Sequence, residues 1–176
     1  MEDNTPKALI VGDTHACVAD RPAIDATLDM IKTLSPDEVI LNDFWDGQSV
    51  NHHEIADPIK YMNALSVQEE AEVTKELLKE FSEASKKITY LNSNHDNFLT
   101  RWLSGPSHMW RLHRNYADAV ELQLYRAKTG KHPIIKLLDL ESFPNVKFIP
   151  ESASYYVGKV HVRHGHEGLL GARVGF

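Results

Sequence analysis

A single cysteine, Cys17, stands in a chain of 176 residues, which excludes an internal disulfide framework and points to a reducing, cytoplasmic setting. Long apolar runs are also missing: none approaches the ~20 residues of a membrane-spanning helix, so no membrane association is expected. The opening stretch MEDNTPKALIVGD has neither the basic n-region nor the apolar h-region of a secretory signal. Positive charge is in short supply, with 19 Lys+Arg against 25 Asp+Glu and a net charge of -6. That balance argues against a broad basic surface for nucleic acid, though not against a local positive or metal-lined cleft. No repeat, low-complexity tract or composition shift marks a second domain. One domain over 1–176 is expected, long enough to bury roughly 70% of its unfolded surface. Hydrophobic residues at 42% and charged residues at 25% place the chain among globular proteins and set general disorder aside. Histidine, by contrast, is plentiful at ten residues, and where these sit carries the argument.

The pattern predicts an α/β order. Ala8–Val11, Glu38–Leu41 and Ile88–Leu91 are short apolar runs of the kind that form buried strands. Pro22–Leu34 places Ile24, Leu28, Ile31 and Leu34 on one helical face, and Val67–Lys87 does the same with Ala71, Leu77, Leu78, Phe81 and Ala84. Gly47–Pro58 is polar and predicts a loop. Asn97–Leu103 predicts a helix stopped by Gly105-Pro106, and Asn115–Lys128 another, with Tyr116, Val120, Leu124 and Ala127 as its stripe and Gly130 as its end. Ile134–Leu140 fits helix or strand. Val146–Ile149, Ser154–Val157 and Lys159–Arg163 predict three short strands, the last two joined in a tight hairpin around Gly158. In such an order the chemistry is expected in loops at the carboxyl ends of strands.

Those ends carry similar residues. Val11 is followed by Gly12-Asp13-Thr14-His15, Leu41 by Asn42-Asp43-Phe44-Trp45-Asp46-Gly47, and Leu91 by Asn92-Ser93-Asn94-His95-Asp96; a late strand runs into His164-Gly165-His166-Glu167. Each cluster alone has a plain explanation: a helix cap, a solvated loop, or an imidazole alternating between core and water. Four such coincidences at four strand ends are harder to accept than one shared site. Carboxylates and imidazoles suit Mn²⁺, Fe or Zn²⁺, and the lack of cysteine clusters removes structural zinc.

With Asp13-Thr14-His15, Asp43-Phe44-Trp45-Asp46, Asn94-His95-Asp96 and His164-Gly165 in that order, the chain resembles the calcineurin-like metallophosphoesterases, most closely the phage and bacterial type. The resemblance runs from about residue 7 to the end. Asn42 and Ser93 stand where that family usually has glycine, and no GHxH motif follows His164 before Phe176. It implies a layered β-sandwich flanked by helices, C-terminally incomplete, with a helical insertion around 97–140. It also implies two divalent ions, Mn²⁺ foremost with Fe, Zn²⁺ or Mg²⁺ as alternatives. Asp13, His15, Asp43, Asn94 and His164 would be the ligands, with Asp43 bridging. His95 would be the general acid and Asp46 its orienting carboxylate.

The implied activity is a phosphodiesterase or nuclease acting on DNA or a nucleotide, in the cytoplasm of a bacterium or phage-infected host. A phosphomonoesterase or protein phosphatase of the same chemistry is the alternative, as is a catalytically deficient partner-binding module. His52, His53, His166 and Arg173 are further candidates for substrate contact. Trp102, Trp110 and Tyr116 near Arg101, Arg111 and Arg114 form either a base-stacking surface or the core and rim of the helical insertion. Cys17 is expected to be a buried small residue rather than a reactive one.

Overall fold

The computed structural model describes residues 7–54, 64–105 and 112–163. It is a mixed α/β structure built on a four-stranded parallel sheet in the order β1-β2-β3-β4: Ala8–Val11, Glu38–Asn42, Ile88–Leu91 and Val146–Ile149. The two central strands are buried almost throughout, which is why they read as unbroken apolar runs. Among the described residues strand β1 pairs with β2 alone, and its alternate residues are exposed.

Helices α1 (Arg21–Leu34), α2 (Val67–Ala84), α3 (Asn94–Ser104), α4 (Leu112–Thr129) and α5 (Pro133–Leu137) connect the strands. Two cross-sheet rows, Leu9-Val39-Ile88-Val146 and Val11-Leu41-Tyr90-Phe148, follow from the register. Both pack into the main core with Ile24, Leu28 and Ile31 of α1, Leu78 and Phe81 of α2, and Leu99 and Trp102 of α3. Each large side chain fully buried there is worth roughly 1.5–3 kcal/mol. Trp102 is 2% exposed and belongs to this core, so it offers no face for stacking a base. Trp110 and Arg111 lie outside the described residues; Tyr116 is exposed, and Arg114 is engaged with Glu69 and the Ala64 carbonyl.

The opposite face of the sheet is covered by a hairpin of β5 (Tyr155–Val157) and β6 (Val160–Val162), whose Tyr155, Val157 and Val162 pack on Ile40, Leu91 and Ile149. Gly158 (φ 57) takes the left-handed first position of its two-residue turn. A polar clasp fastens the hairpin to the sheet. The Glu38 carboxylate accepts from Thr89 Oγ1, from Tyr155 OH and from Lys87 Nζ at 2.9 Å. Burial pushes the Glu38 carboxyl up, but these three donors outweigh it and hold it below its ordinary range.

Three expectations need correction. Helix α2 ends at Ala84 and not at Lys87. Helix α3 begins at Asn94 and not at Asn97, because Ser93 and Asp96 form a capping box: Ser93 Oγ accepts from Asp96 N at 3.2 Å, and Asp96 accepts from Ser93 N at 2.8 Å. On α4 the expected stripe faces outward, with Tyr116 65% and Leu124 51% exposed, while Asn115, Ala119 and Leu122 are buried. Asn115 is buried because its Oδ1 accepts from the first N–H of α2, Val67, at 2.9 Å. The ambiguous segment after Pro133 is helical. Among the described residues, no helix is long and apolar enough to cross a membrane.

His132 caps α5 and shows how a buried imidazole reports on folding. Its Nδ1 accepts from Ile134 N at 3.3 Å, so the proton sits on Nε2 and faces Thr100 Oγ1 at 3.0 Å; the ring stacks on Phe148 at 5.6 Å. Burial first, and then the Arg126 charge, push it down to about 4. Between that value and the ~6.5 of an unfolded histidine, the unfolded chain binds the extra proton. The contribution of His132 is therefore complete above pH 6.5 and lost as pH falls through 4. As pH falls from 7 to 4, urea midpoints should drop more steeply for the wild type than for His132→Asn; parallel profiles would show that the buried ring does not drive the acid loss.

Candidate metal centre

The parallel register brings the turns after β1, β2 and β3 together at one edge of the sheet. Two backbone hydrogen bonds continue the β1–β2 pairing past the strands, His15 N to the Asp43 carbonyl at 3.0 Å and Ala16 N to the Phe44 carbonyl at 2.9 Å. Of five non-glycine residues at positive φ among the described residues, three stand here: Asp13 (50°), His15 (43°) and Asp43 (51°). Such backbone is disfavoured for L-residues and collects at functional sites, where the surrounding structure holds it in place.

One donor atom each from His15, Asp43 and His95 lie within 4.8 Å of one another. Asp43 is buried and both histidines are half-buried, their rings 4.6 Å apart. Beside them Thr14 Oγ1 is buried with no hydrogen-bond partner among the described residues. Asp46 sits between the two imidazoles. Its Oδ1 is 3.1 Å from His15 Nδ1 and 3.9 Å from His95 Nδ1, whereas its backbone carbonyl lies 2.5 Å from His95 Nδ1. Both histidines thus turn Nδ1 toward Asp46 and leave Nε2 available, the arrangement that fixes tautomer and aim in metal-binding histidines.

The remaining sequence candidates fall around this group. Asp13 is exposed and lines a shallow hollow of about 310 Å³ with His15, Asp20 and Thr27, outside the three-residue cluster. Asn94 is the first residue of α3, next to His95. His52 and His53 stand beyond Phe98, which touches His95 as well. His164, His166 and Arg173 lie outside the described residues.

Two buried acids hold the frame, Asp96 of the third cluster and Glu70 of α2. Asp96 accepts from Tyr90 OH at 2.9 Å, and burial, reinforced by the Asp43 charge, pushes it up to about 7. Glu70 reaches from α2 to accept from Gln48 N at 2.9 Å, Ser49 N at 3.0 Å and Ser49 Oγ, and so fixes the turn that follows Asp46. Burial raises Glu70 to about 6 despite those bonds. In sequence it looks like any exposed glutamate of a charged helix; the nearest signal is the Ser66–Glu69 capping box one residue before it. Cys17 lies behind this frame, half-buried, its thiol pushed up to about 12 by burial and by the charges of Glu70 and Asp46, which disfavours the reactive thiolate.

Comparison with known proteins gives no match: no family model, no curated protein and no solved structure matches the chain.

Gly47 closes the turn at φ 71, and a Cβ there would stand 3.2 Å from the His95 carbonyl oxygen, 3.2 Å from the Phe98 ring and 3.3 Å from Trp45. Gly47→Ala should destabilise the protein by about 1–3 kcal/mol, from left-handed strain plus overpacking. It should also move the His95 ring signals in an NMR spectrum. A variant with wild-type urea midpoint and unmoved His95 resonances would show that the turn is not tightly held.

Proposed function

We propose that the chain is a metal-dependent phosphoesterase acting on phosphodiesters of nucleic acid or nucleotide origin. The observation that carries this reading is the convergence of His15, Asp43 and His95 within 4.8 Å on left-handed backbone at the carboxyl edge of a parallel sheet. The donor set fits a divalent ion. His15 and Asp43 offer an imidazole and a carboxylate, donors that suit Mn²⁺, Fe or Zn²⁺, and His95 lies close enough to act on a substrate held by the ion. The orphaned Thr14 hydroxyl points to a further polar occupant. The resemblance to calcineurin-like metallophosphoesterases supports the same conclusion, and the hairpin layer on the second face of the sheet agrees with the sandwich it implies. A second ion under that reading would share Asp43 and draw on Asn94.

Lewis-acid polarisation of a phosphoryl oxygen is what a divalent ion would supply here. The rest falls to the chain. Asp43 would provide the negative charge to hold the cation. Asp46 orients both imidazoles, His15 through its carboxylate and His95 through its carbonyl. His95 holds a proton at Nδ1 against that carbonyl and presents Nε2 to the substrate, from which a protonated ring gives a proton to the leaving oxygen. No protein nucleophile is required, because a water molecule would form the new P–O bond as the bond to the leaving oxygen breaks. Monoesterase activity would use the same groups, and the relative turnover of bis(p-nitrophenyl) phosphate and p-nitrophenyl phosphate separates the two.

Asp43→Asn should abolish tight Mn²⁺ binding in a calorimetric titration, since an amide keeps the shape and loses the charge. Wild-type stoichiometry and affinity in that variant would remove Asp43 from the site. His95→Asn should lower turnover by roughly 10²–10⁴-fold at nearly unchanged metal affinity, with a larger loss for alkyl than for p-nitrophenyl esters. A loss that is equal for both esters and tracks metal affinity would make His95 a ligand instead of the acid.

A further inference from the structure

Beyond the metal cluster, Phe98 serves as a wall with an imidazole on either side. His95 meets it at 4.8 Å, while His52 and His53 pack edge-on against it at 5.3 and 5.8 Å, their own rings 4.0 Å apart. His53 is exposed and its backbone N–H is pinned by Asn51 Oδ1 at 2.9 Å, so the pair is held rather than trailing in solvent. His52 Nδ1 is buried and has no hydrogen-bond partner among the described residues. Phe98 and Arg101 are one helical step apart on α3, and the Arg101 charge reaches His52. Arg101 is exposed, and among the described residues no carboxylate pairs with it. An exposed guanidinium whose charge reaches one of two stacked imidazoles, in a chain of net charge -6, is a local site for an anion. Burial, His53 and Arg101 together hold the His52 ring below its ordinary range, which leaves Arg101 to supply the charge.

We infer that His52, His53 and Arg101 form a subsite for a second phosphate of the substrate, one nucleotide removed from the phosphate that is cleaved. This rests on the phosphoesterase reading for what happens at the metal cluster, but the subsite itself needs no metal. Arg101 stands six residues beyond His95 on one helix, about 9 Å along its axis, a span that favours a linear oligonucleotide over a simple phosphodiester. The subsite would then select polymeric or phosphorylated substrates through binding and not through chemistry.

The test compares dithymidylate with its 5′-phosphorylated and 3′-phosphorylated forms, each of which adds one phosphate on one side of the same scissile bond. With Mn²⁺, one phosphorylated form should be preferred over plain dithymidylate by about 10–100-fold in kcat/KM, the range of a charge-assisted contact, and mainly through KM. In Arg101→Gln, and in the double variant His52→Ala with His53→Ala, that ratio should fall toward one. In parallel, metal-free protein in EDTA is titrated with the three dinucleotides while the imidazole resonances are followed by NMR. His52 and His53 should shift with the preferred phosphorylated form, and not in Arg101→Gln. Equal kcat/KM for all three substrates, or a preference that survives in Arg101→Gln, overturns the subsite. If no substrate is turned over, the phosphoesterase reading fails separately and the metal-free titration decides: selective shifts uphold the subsite, and equal or absent shifts overturn it.

Discussion

Everything at the candidate metal centre depends on the parallel register of β1, β2 and β3. A parallel ladder points all its carboxyl ends the same way, so three turns far apart in sequence leave the sheet side by side. The strands are short, at four or five residues, and no single turn is anchored by length. The anchoring comes from what continues past the strands. The His15 and Ala16 amides carry the β1–β2 pairing into the loops, and the Ser93–Asp96 capping box locks the entry to α3. Those constraints force Asp13, His15 and Asp43 into left-handed backbone. A loop with freedom to relax would not keep three such residues so close together.

The same arrangement concentrates negative charge. Asp43, Asp46, Glu70 and Asp96 are all buried near one edge of the sheet. Asp43 raises Asp96, and Asp46 raises both Glu70 and Cys17. Carboxylates in such numbers are costly to bury unless each is hydrogen-bonded or compensated by positive charge. Glu70 and Asp96 are satisfied inside the frame by backbone amides, Ser49 and Tyr90. Asp43 and Asp46 face the two imidazoles, where a cation would meet both charge and geometry. The frame and the cluster therefore divide the acids between them, two that shape the turns and two that face the site.

Much of this was legible in the sequence, for a physical reason. Strands buried on both faces must be apolar throughout, so β2 and β3 announce themselves, and the polar residues just after them mark the turns. What failed was the phase of α4. Tyr116, Val120, Leu124 and Ala127 have good helical spacing, yet periodicity shows only that a stripe exists and not which way it faces. The inner face is set by Asn115, a polar residue that caps α2, together with Ala119, which is too small to weigh in a pattern. Glu70 was illegible for a related reason. A glutamate among glutamates looks like solvated surface until the turn it anchors is seen folded against it. The start of α3 is readable, since Ser93 and Asp96 have capping-box spacing, although the residues between them also fit a ligand motif. Ser93 and Asp96 serve as a cap here, which puts Asn94 and His95 on the first turn of the helix.

The position of Asp46 changes how the site's parts relate. The family resemblance implies that its carboxylate orients His95, but in the folded chain the carboxylate lies nearer His15, and it is the carbonyl that meets His95. One residue therefore aims both rings through two different groups. The backbone contact is indifferent to side-chain identity and depends instead on the conformation of the turn. That conformation is held by Gly47 on one side and by the Glu70 bonds to Gln48 and Ser49 on the other. The aim of His95 is thus tied to α2 through a buried carboxylate more than twenty residues away in sequence, while the aim of His15 is tied to the charge on Asp46 itself. Because the two imidazoles answer to different controls, a disturbance in the packing of α2 against the turn reaches His95 first, and the loss of the Asp46 charge reaches His15 first.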